Sequence, residues 1–237
     1  MGVDNYFIFD GVDCRRFAIH AFERSSYGAD PIQYEARTIP GMDGDCLVSQ
    51  DRYPNRNVSM KCLIFEDFYV NYERFRAWLM SKIGYFRLEL GNHPGEYYLA
   101  SVRNAIEPTV DRDANMGKFE LIFSRKPQRF LKAGERAQSF TATGTIKNPT
   151  PYASKPLIRV YGTGEVDVGE TTVTITSADV YTDIDCEIME SYKGDTSKNQ
   201  YVQFSTNDYP TLGPGTNAIT LGTGITRVEI TPRWFIR

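Results

Sequence analysis

The chain of 237 residues is short of the residues from which active sites are usually built. It has two histidines, His20 and His93, and four cysteines, Cys14, Cys46, Cys62 and Cys186, none in a CxxC pair. Scattered cysteines at these spacings do not make a zinc site, whose ligands come in close pairs. Three of the four fall in the first half, so they cannot all pair within their own halves. Free thiols in a reducing compartment are therefore expected. No apolar run reaches the ~20 residues of a membrane span, so no membrane association is expected. The segment Met1–Tyr6 shows no basic stretch leading into an apolar core, so no signal peptide is expected there. Tyr6 stands where a myristoylation motif needs Ser or Thr. Positive charge is not in excess either: 17 basic against 18 acidic residues up to Leu131, and 10 against 12 after it. Nucleic-acid affinity rests on phosphate neutralisation, so gripping of DNA or RNA is not expected. A chain of this balance can still surround DNA without holding it.

What is present is strand patterning. Tyr6–Phe9, an Asp10-Gly11 turn and the run Arg16–Phe22 read as strand, turn and strand; Asp-Gly suits the positive φ of tight hairpins. Ser25–Asp30 reads as a polar loop, Ile32–Ile39 as a strand, and Pro40–Asp45 as a sharp turn. Over 56–64 the period is two, with Val58, Met60, Cys62 and Ile64 on one face. Between Glu66 and Ile83 the period changes. Phe68, Tyr72, Phe75, Leu79 and Ile83 recur at three and four, a helical stripe with Trp78 beside it and Gly84 as its C-terminal cap. Strands return at Tyr85–Leu90, Glu96–Val102 and Lys118–Phe123.

The Arg125-Lys126-Pro127-Gln128-Arg129-Phe130 segment closes the first half, and Asn148–Pro156 marks the start of a second. Short Thr/Val/Ile-rich strands follow at intervals of roughly ten residues, as in a β-sandwich or jelly roll. They are 157–161, 171–175, 185–189, 201–204, 217–221 and 226–230. The boundary is expected at 135/136, giving units 1–135 and 136–237. No helix is expected after Phe140.

Several groups are candidates for chemistry. His20 in a strand and His93 in a turn lack a nucleophile motif such as GxSxG. Asp183, Asp185 and Glu187 alternate; on a strand they would share a face, open to calcium or simply solvated. Asp43 and Asp45 flank Gly44, as cation ligands or as partners within a turn. Glu165 and Asp167 could pair as glycosidase carboxylates, but nothing places a second wall around them. Gly162-Thr-Gly164 and Gly222-Thr-Gly224 are turns that open no strand-to-helix phosphate loop. Trp234 is either a sugar-stacking face or core. Neither a catalytic residue, a cofactor nor a metal site is expected. Assembly is favoured, since strand edges pair and head-to-tail contacts close rings.

Several segments in this order resemble the distal tail proteins of long-tailed bacteriophages. They are Phe7-Ile-Phe-Asp-Gly-Val-Asp13, Arg37-Thr-Ile-Pro-Gly-Met-Asp-Gly44, the strand 53–64 with Arg56, the helix ending Arg76-Ala-Trp-Leu79, and the 125–130 closure. Asn148–Pro156 with Ile158–Gly162, and 208–212 through 230–234, complete the match, which spans essentially the whole chain. The resemblance implies a mainly β fold: an N-terminal tail-tube-like β-sandwich with one flanking helix, then a galectin-like β-sandwich projecting outward. It implies a structural virion protein at the distal end of the tail, made in the bacterial host cytoplasm. Six copies would form a baseplate ring joining the tail-tube protein to the tail-associated tip protein, in many phages anchoring receptor-binding protein. DNA would leave through the lumen without specific binding. No enzymatic residues carry over, and the absence of a long insertion argues against an added carbohydrate-binding module. Segments 37–44 and 125–130 are expected at contacts between subunits or domains, with Arg37, Asp43, Arg125 and Arg129 as candidates. The physical motive is that Pro127 stiffens the backbone between two guanidinium groups suited to carboxylates; a salt bridge within one subunit is the alternative. Two rivals stand beside this reading: a carbohydrate-binding adsorption module in 140–237, and a cell-wall hydrolase using His20 or His93.

Overall fold

A computed structural model describes residues 6–23, 32–50 and 52–237. The loop expected over Ser25–Asp30 and the N-terminal segment 1–5 lie outside these residues. The chain is mainly β and divides into two compact units, 1–129 with Arg237, and 130–236.

In the first unit the chain runs β1 (Phe7–Phe9), β2 (Val12–Asp13), β3 (Ile19–Glu23), β4 (Tyr34–Thr38), β5 (Asp45–Ser49), β6 (Arg56–Ile64), helix α1 (Phe68–Met80), β7 (Phe86–Leu90), β8 (Glu96–Val102), β9 (Thr109–Asp111) and β10 (Met116–Leu131). One sheet has the order β2-β1-β7-β8-β10-β6-β3, with β9 also paired to β10. The Asp10-Gly11 turn takes φ of 50° and 73°, and joins β1 to β2 with Phe9 opposite Val12. Positive φ at both central residues is what a two-residue hairpin needs. The second arm is shorter than expected: the chain leaves it for a 3-10 turn at Cys14–Phe17 before β3 begins. The alternation of β6 sends Val58, Met60, Cys62 and Ile64 into the core.

Helix α1 lays Phe68, Tyr72, Phe75 and Leu79 on the sheet. Ile83 departs from the expected stripe and is 92% exposed. The helix stops at Met80, where Ser81 Oγ donates to Trp78 O at 2.7 Å, so Ile83 is past its end. Gly84, at φ +115°, belongs to the following turn rather than to the cap. The core is aromatic. Phe123 lies 5.4 Å from Phe7 and 5.3 Å from Phe9, and Phe75 lies 5.6 Å from Phe17 and 5.5 Å from Phe119. Such centroid distances fall in the favourable range for aromatic pairs. Gly117 is needed where it stands, because a Cβ would come 2.3 Å from the Phe68 ring.

The Arg125–Phe130 segment closes the first half inside a strand. It continues β10 as a strand of 16 residues. Proline cannot donate to a ladder, and Pro127 falls beyond the last β6 partner, which is Arg56 opposite Arg125.

The second unit contains β11 (Gln138–Phe140), β12 (Gly144–Asn148), β13 (Leu157–Gly162), β14 (Gly164–Val168), β15 (Thr171–Ile175), β16 (Tyr181–Asp185), β17 (Glu190–Lys193), β18 (Thr196–Ser197), β19 (Val202–Phe204), β20 (Gly215–Leu221), β21 (Ile225–Thr231) and β22 (Phe235–Ile236). All but β22 form a sandwich of two sheets, β11-β21-β13-β16-β17-β18 and β12-β20-β14-β15-β19. Between them pack Ile146, Ile158, Val160, Val166, Val173, Ile184, Ile219, Val228 and Ile230. Branching at Cβ suits these side chains to a pleated surface. The expected strand 185–189 is corrected: the strand is β16, and 186–189 form the turn into β17. One helical turn, 3-10 at Asn199–Tyr201, also lies beyond Phe140, where none was expected.

Candidate assembly interface

The most unusual surface of the first unit is the β4–β5 hairpin. Its register is fixed by five pairs, from Tyr34 opposite Ser49 to Thr38 opposite Asp45. Yet nearly every residue in it is exposed. Ile39 and Met42 at the turn, Tyr34 on one strand, and Leu47 and Val48 on the other all face solvent, Leu47 at 62%. An isolated two-stranded hairpin is marginally stable in water, and clustered exposed apolar side chains mark contact surfaces. Arg37 is on β4, where Nη2 reaches Glu35 Oε2 at 3.1 Å with both side chains exposed. Asp43 is exposed in the turn, and Asp45 accepts from Thr38 Oγ1 at 2.9 Å. Arg37 and Asp43 are therefore open to a partner.

Arg125 and Arg129 are placed differently. Arg125 is 3% exposed, with its guanidinium carbon 4.7 Å from the Tyr98 ring centre. Arg129 Nη1 lies 3.3 Å from Glu96 Oε2, an ion pair between half-buried side chains. Both thus have partners inside the first unit.

The candidate groups for chemistry do not converge. His20 is exposed, edge-on to Phe65 at 5.2 Å. His93 holds the β7–β8 turn, its N–H donating to Leu90 O and its carbonyl accepting from Glu96 N. Glu165 is exposed, while Asp167 accepts from Thr172 Oγ1 at 2.7 Å. Trp234 is 3% exposed and belongs to the core, its backbone packed on Gly134. It offers no stacking face for a sugar.

The acidic triplet is the clearest correction. Asp183 and Asp185 are buried rather than solvated, each held by an arginine fork. Arg159 Nε and Nη2 donate to Asp183 at 2.7 and 2.8 Å; Arg233 Nη1 and Nη2 donate to Asp185 at 2.6 and 2.8 Å. Burial pushes the Asp185 carboxyl up, but Arg233 and the N–H groups of Glu187 and Ile188 outweigh it and hold its pKa below the usual value. Glu187 lies in the turn, away from that strand face. Among the described residues no group of three His, Cys, Asp or Glu side chains could hold a metal ion.

The Asn148–Pro156 segment does more than punctuate. Asn148 is buried; its Nδ2 donates to Tyr152 O at 2.9 Å and Leu212 O at 3.0 Å, and its Oδ1 accepts from Thr150 N and Oγ1, both at 2.9 Å. Ser154 Oγ donates to Pro232 O at 2.7 Å. These bonds tie the entry of the sandwich to its last strands. All four cysteines are free thiols. No helix among the described residues is long and apolar enough to cross a membrane.

These features define a class first: a two-unit, mainly β chain with buried arginine–aspartate forks in its second unit and an apolar hairpin left uncovered in its first. No family profile and no curated protein sequence matches it. Solved structures do. Over 98% of its own length and 99% of the other chain's, it superposes on the Dit protein of phage SPP1, described as a paradigm of the hub adsorption apparatus in phages infecting Gram-positive bacteria, with a TM-score of 0.69 at 14% identity. A chain of the phage P2 baseplate in its activated conformation with calcium matches at a TM-score of 0.50 and 10% identity, over 95% of this chain and 96% of that one. The strontium form of the p2 baseplate gives the same TM-score and identity over 92% and 91%. The fold is that of phage Dit and baseplate proteins, as the sequence resemblance implied.

Proposed function

We propose that this chain is a structural virion protein, the distal-tail hub of a long-tailed phage. Six copies close into a ring that joins the tail tube to the tip protein and to receptor-binding protein, with DNA leaving through the lumen. The first unit builds the ring and the galectin-like second unit projects from it, with the functional boundary near 135/136. The chain is not an enzyme and needs no cofactor. The observation that carries this reading is the match to a phage hub protein along essentially the whole of both chains. The exposed apolar hairpin supports it, because a ring of identical subunits needs one patch that each copy buries on the next. In this reading Arg37 and Asp43 lie in the contact, while Arg125 and Arg129 shape it through the strands and Glu96 they hold.

The test is the mass and shape of the purified chain, by light scattering and negative-stain electron microscopy, alone and mixed with the tail-tube and tip proteins of the same phage. Six-fold rings with an open channel are expected. A chain that stays monomeric in all mixtures overturns the proposal.

A further inference from the structure

Besides the hairpin, the first unit carries an open pocket of about 530 Å3 where the end of β6 meets β9 and the start of β10. Its apolar wall is Leu63, Phe65, Val110 and Met116. Phe65 is 47% exposed, an uncovered ring beside a cavity. Gly117 pairs with both Ile64 and Val110, and Lys118 with both Leu63 and Thr109, so the wall is one continuous strip of sheet. Strand alternation turns Ile64 into the core, under helix α1, and leaves Leu63 and Phe65 on the opposite face. Two cations, Arg112 and Lys118, also line the pocket. Both are exposed, and among the described residues neither has a carboxylate partner.

The β4–β5 hairpin carries the complement. Its turn presents Ile39 and Met42, and Asp43 follows at once, exposed and without a cationic partner among the described residues. An apolar tip bearing one carboxylate thus faces its match in an apolar pocket bearing two cations. Met42 is a side chain that fills irregular apolar gaps.

The two features stand at opposite ends of β6. β3 ends at Glu23, opposite Met60, and β6 starts at Arg56, so the hairpin between them in the chain leaves the sheet at that end. The pocket lies at the Ile64 end, and the nine residues of β6 span about 26 Å at a strand's rise per residue. The hairpin does not cover the pocket of its own chain, since Ile39, Met42 and Phe65 are all exposed. A protrusion at one end and a receptor at the other is the head-to-tail arrangement that repeats around a ring.

We infer that the pocket at the end of β6 receives the hairpin tip of a second copy of this chain, with Ile39 and Met42 against Phe65 and Met116, and Asp43 meeting Arg112 and Lys118. The inference rests on the ring reading above and adds which two surfaces meet.

The test is photocrosslinking from the hairpin tip. A benzophenone side chain replaces Met42 in a mixture of isotopically light and heavy full-length chains, with the tail-tube and tip proteins present. Mass spectrometry should place the adduct on 63–65 or 109–118 of the other copy. An adduct on the tail-tube or tip protein, or elsewhere on the other copy, overturns the inference and leaves the ring standing. If the unmodified chain forms no ring in any mixture, the ring reading and the inference fall together. Charge reversal gives a second measurement without a crosslinker. Asp43→Lys should raise the concentration needed for half-maximal ring formation about tenfold or more, because like charges then meet in the contact. Arg112→Asp and Lys118→Asp, added to the same chain, should restore it. All three side chains are exposed, so circular dichroism should match the parent. Rings that form as readily with Asp43→Lys, or no recovery in the combined chain, overturn the inference.

Discussion

The two units solve the same problem with different side chains. The first fills its core with phenylalanines, tyrosines and a helix laid on one sheet; the second fills its core with valines and isoleucines between two sheets, with Trp234 as its buried aromatic. Large rings reach across gaps, so a sheet covered on one face by a single 13-residue helix can still be sealed. Two facing sheets leave a thinner, more regular gap that branched side chains fill in one rotamer each. The difference shows where each unit is fragile. In the first, each ring touches several others; in the second, the small side chains share the load and the polar closures at Asn148 and Asp185 become indispensable.

Substitutions sharpen the contrast. Phe123→Ala removes a fully buried ring that packs on two others and should cost about 3–5 kcal/mol in chemical denaturation. Ile158→Val in the second core should cost only about 0.5–1.5 kcal/mol, and a loss as large as that of Phe123→Ala would break the comparison.

Arg233→Ala strands the buried Asp185 carboxylate and should cost about 3 kcal/mol, the lower end for a broken buried pair, since Arg233 is partly exposed. The sign with pH follows from the lowered pKa of Asp185. Its contribution is fully present above the unfolded carboxyl value of about 3.9 and is lost as pH falls through the lower folded value. Arg233→Ala should flatten that part of the acid-stability curve, and an unchanged acid slope would mean the fork does not set it.

Gly134→Ala would place a Cβ 2.3 Å from the Trp234 backbone N, and should cost about 1–3 kcal/mol by overpacking, read as a lowered melting temperature. Last and smallest in stability, Leu47→Ser on the hairpin should change chain stability by less than about 0.5 kcal/mol, while reducing ring formation in light scattering. A large stability loss there would show that the hairpin is held by its own subunit.

Much of this was legible in the residues. The Asp10-Gly11 turn, the two-residue period of β6 and the Phe68–Leu79 stripe each state a local rule that the fold obeys. Ile83 misled because spacing continues past a helix end that a Ser81 side chain sets. The Asp183–Glu187 alternation misled because the strand starts at Tyr181, and an alternating pattern does not say where a strand stops. The forks of Arg159 and Arg233 were invisible: their partners are 24 and 48 residues distant, and only the fold brings them together. Arg37 and Asp43 stood out in sequence and lie on the exposed hairpin.

The four thiols divide by reactivity in a way that makes the hairpin addressable. Burial pushes Cys14 and Cys186 up to about 12 and raises Cys62 as well, so none of the three presents a thiolate near neutral pH. Cys46 alone is partly exposed, and it sits on β5 opposite Arg37. A maleimide dye should therefore mark the hairpin selectively in the unmodified chain, and its quenching or protection would report, in real time, whatever comes to rest on that surface.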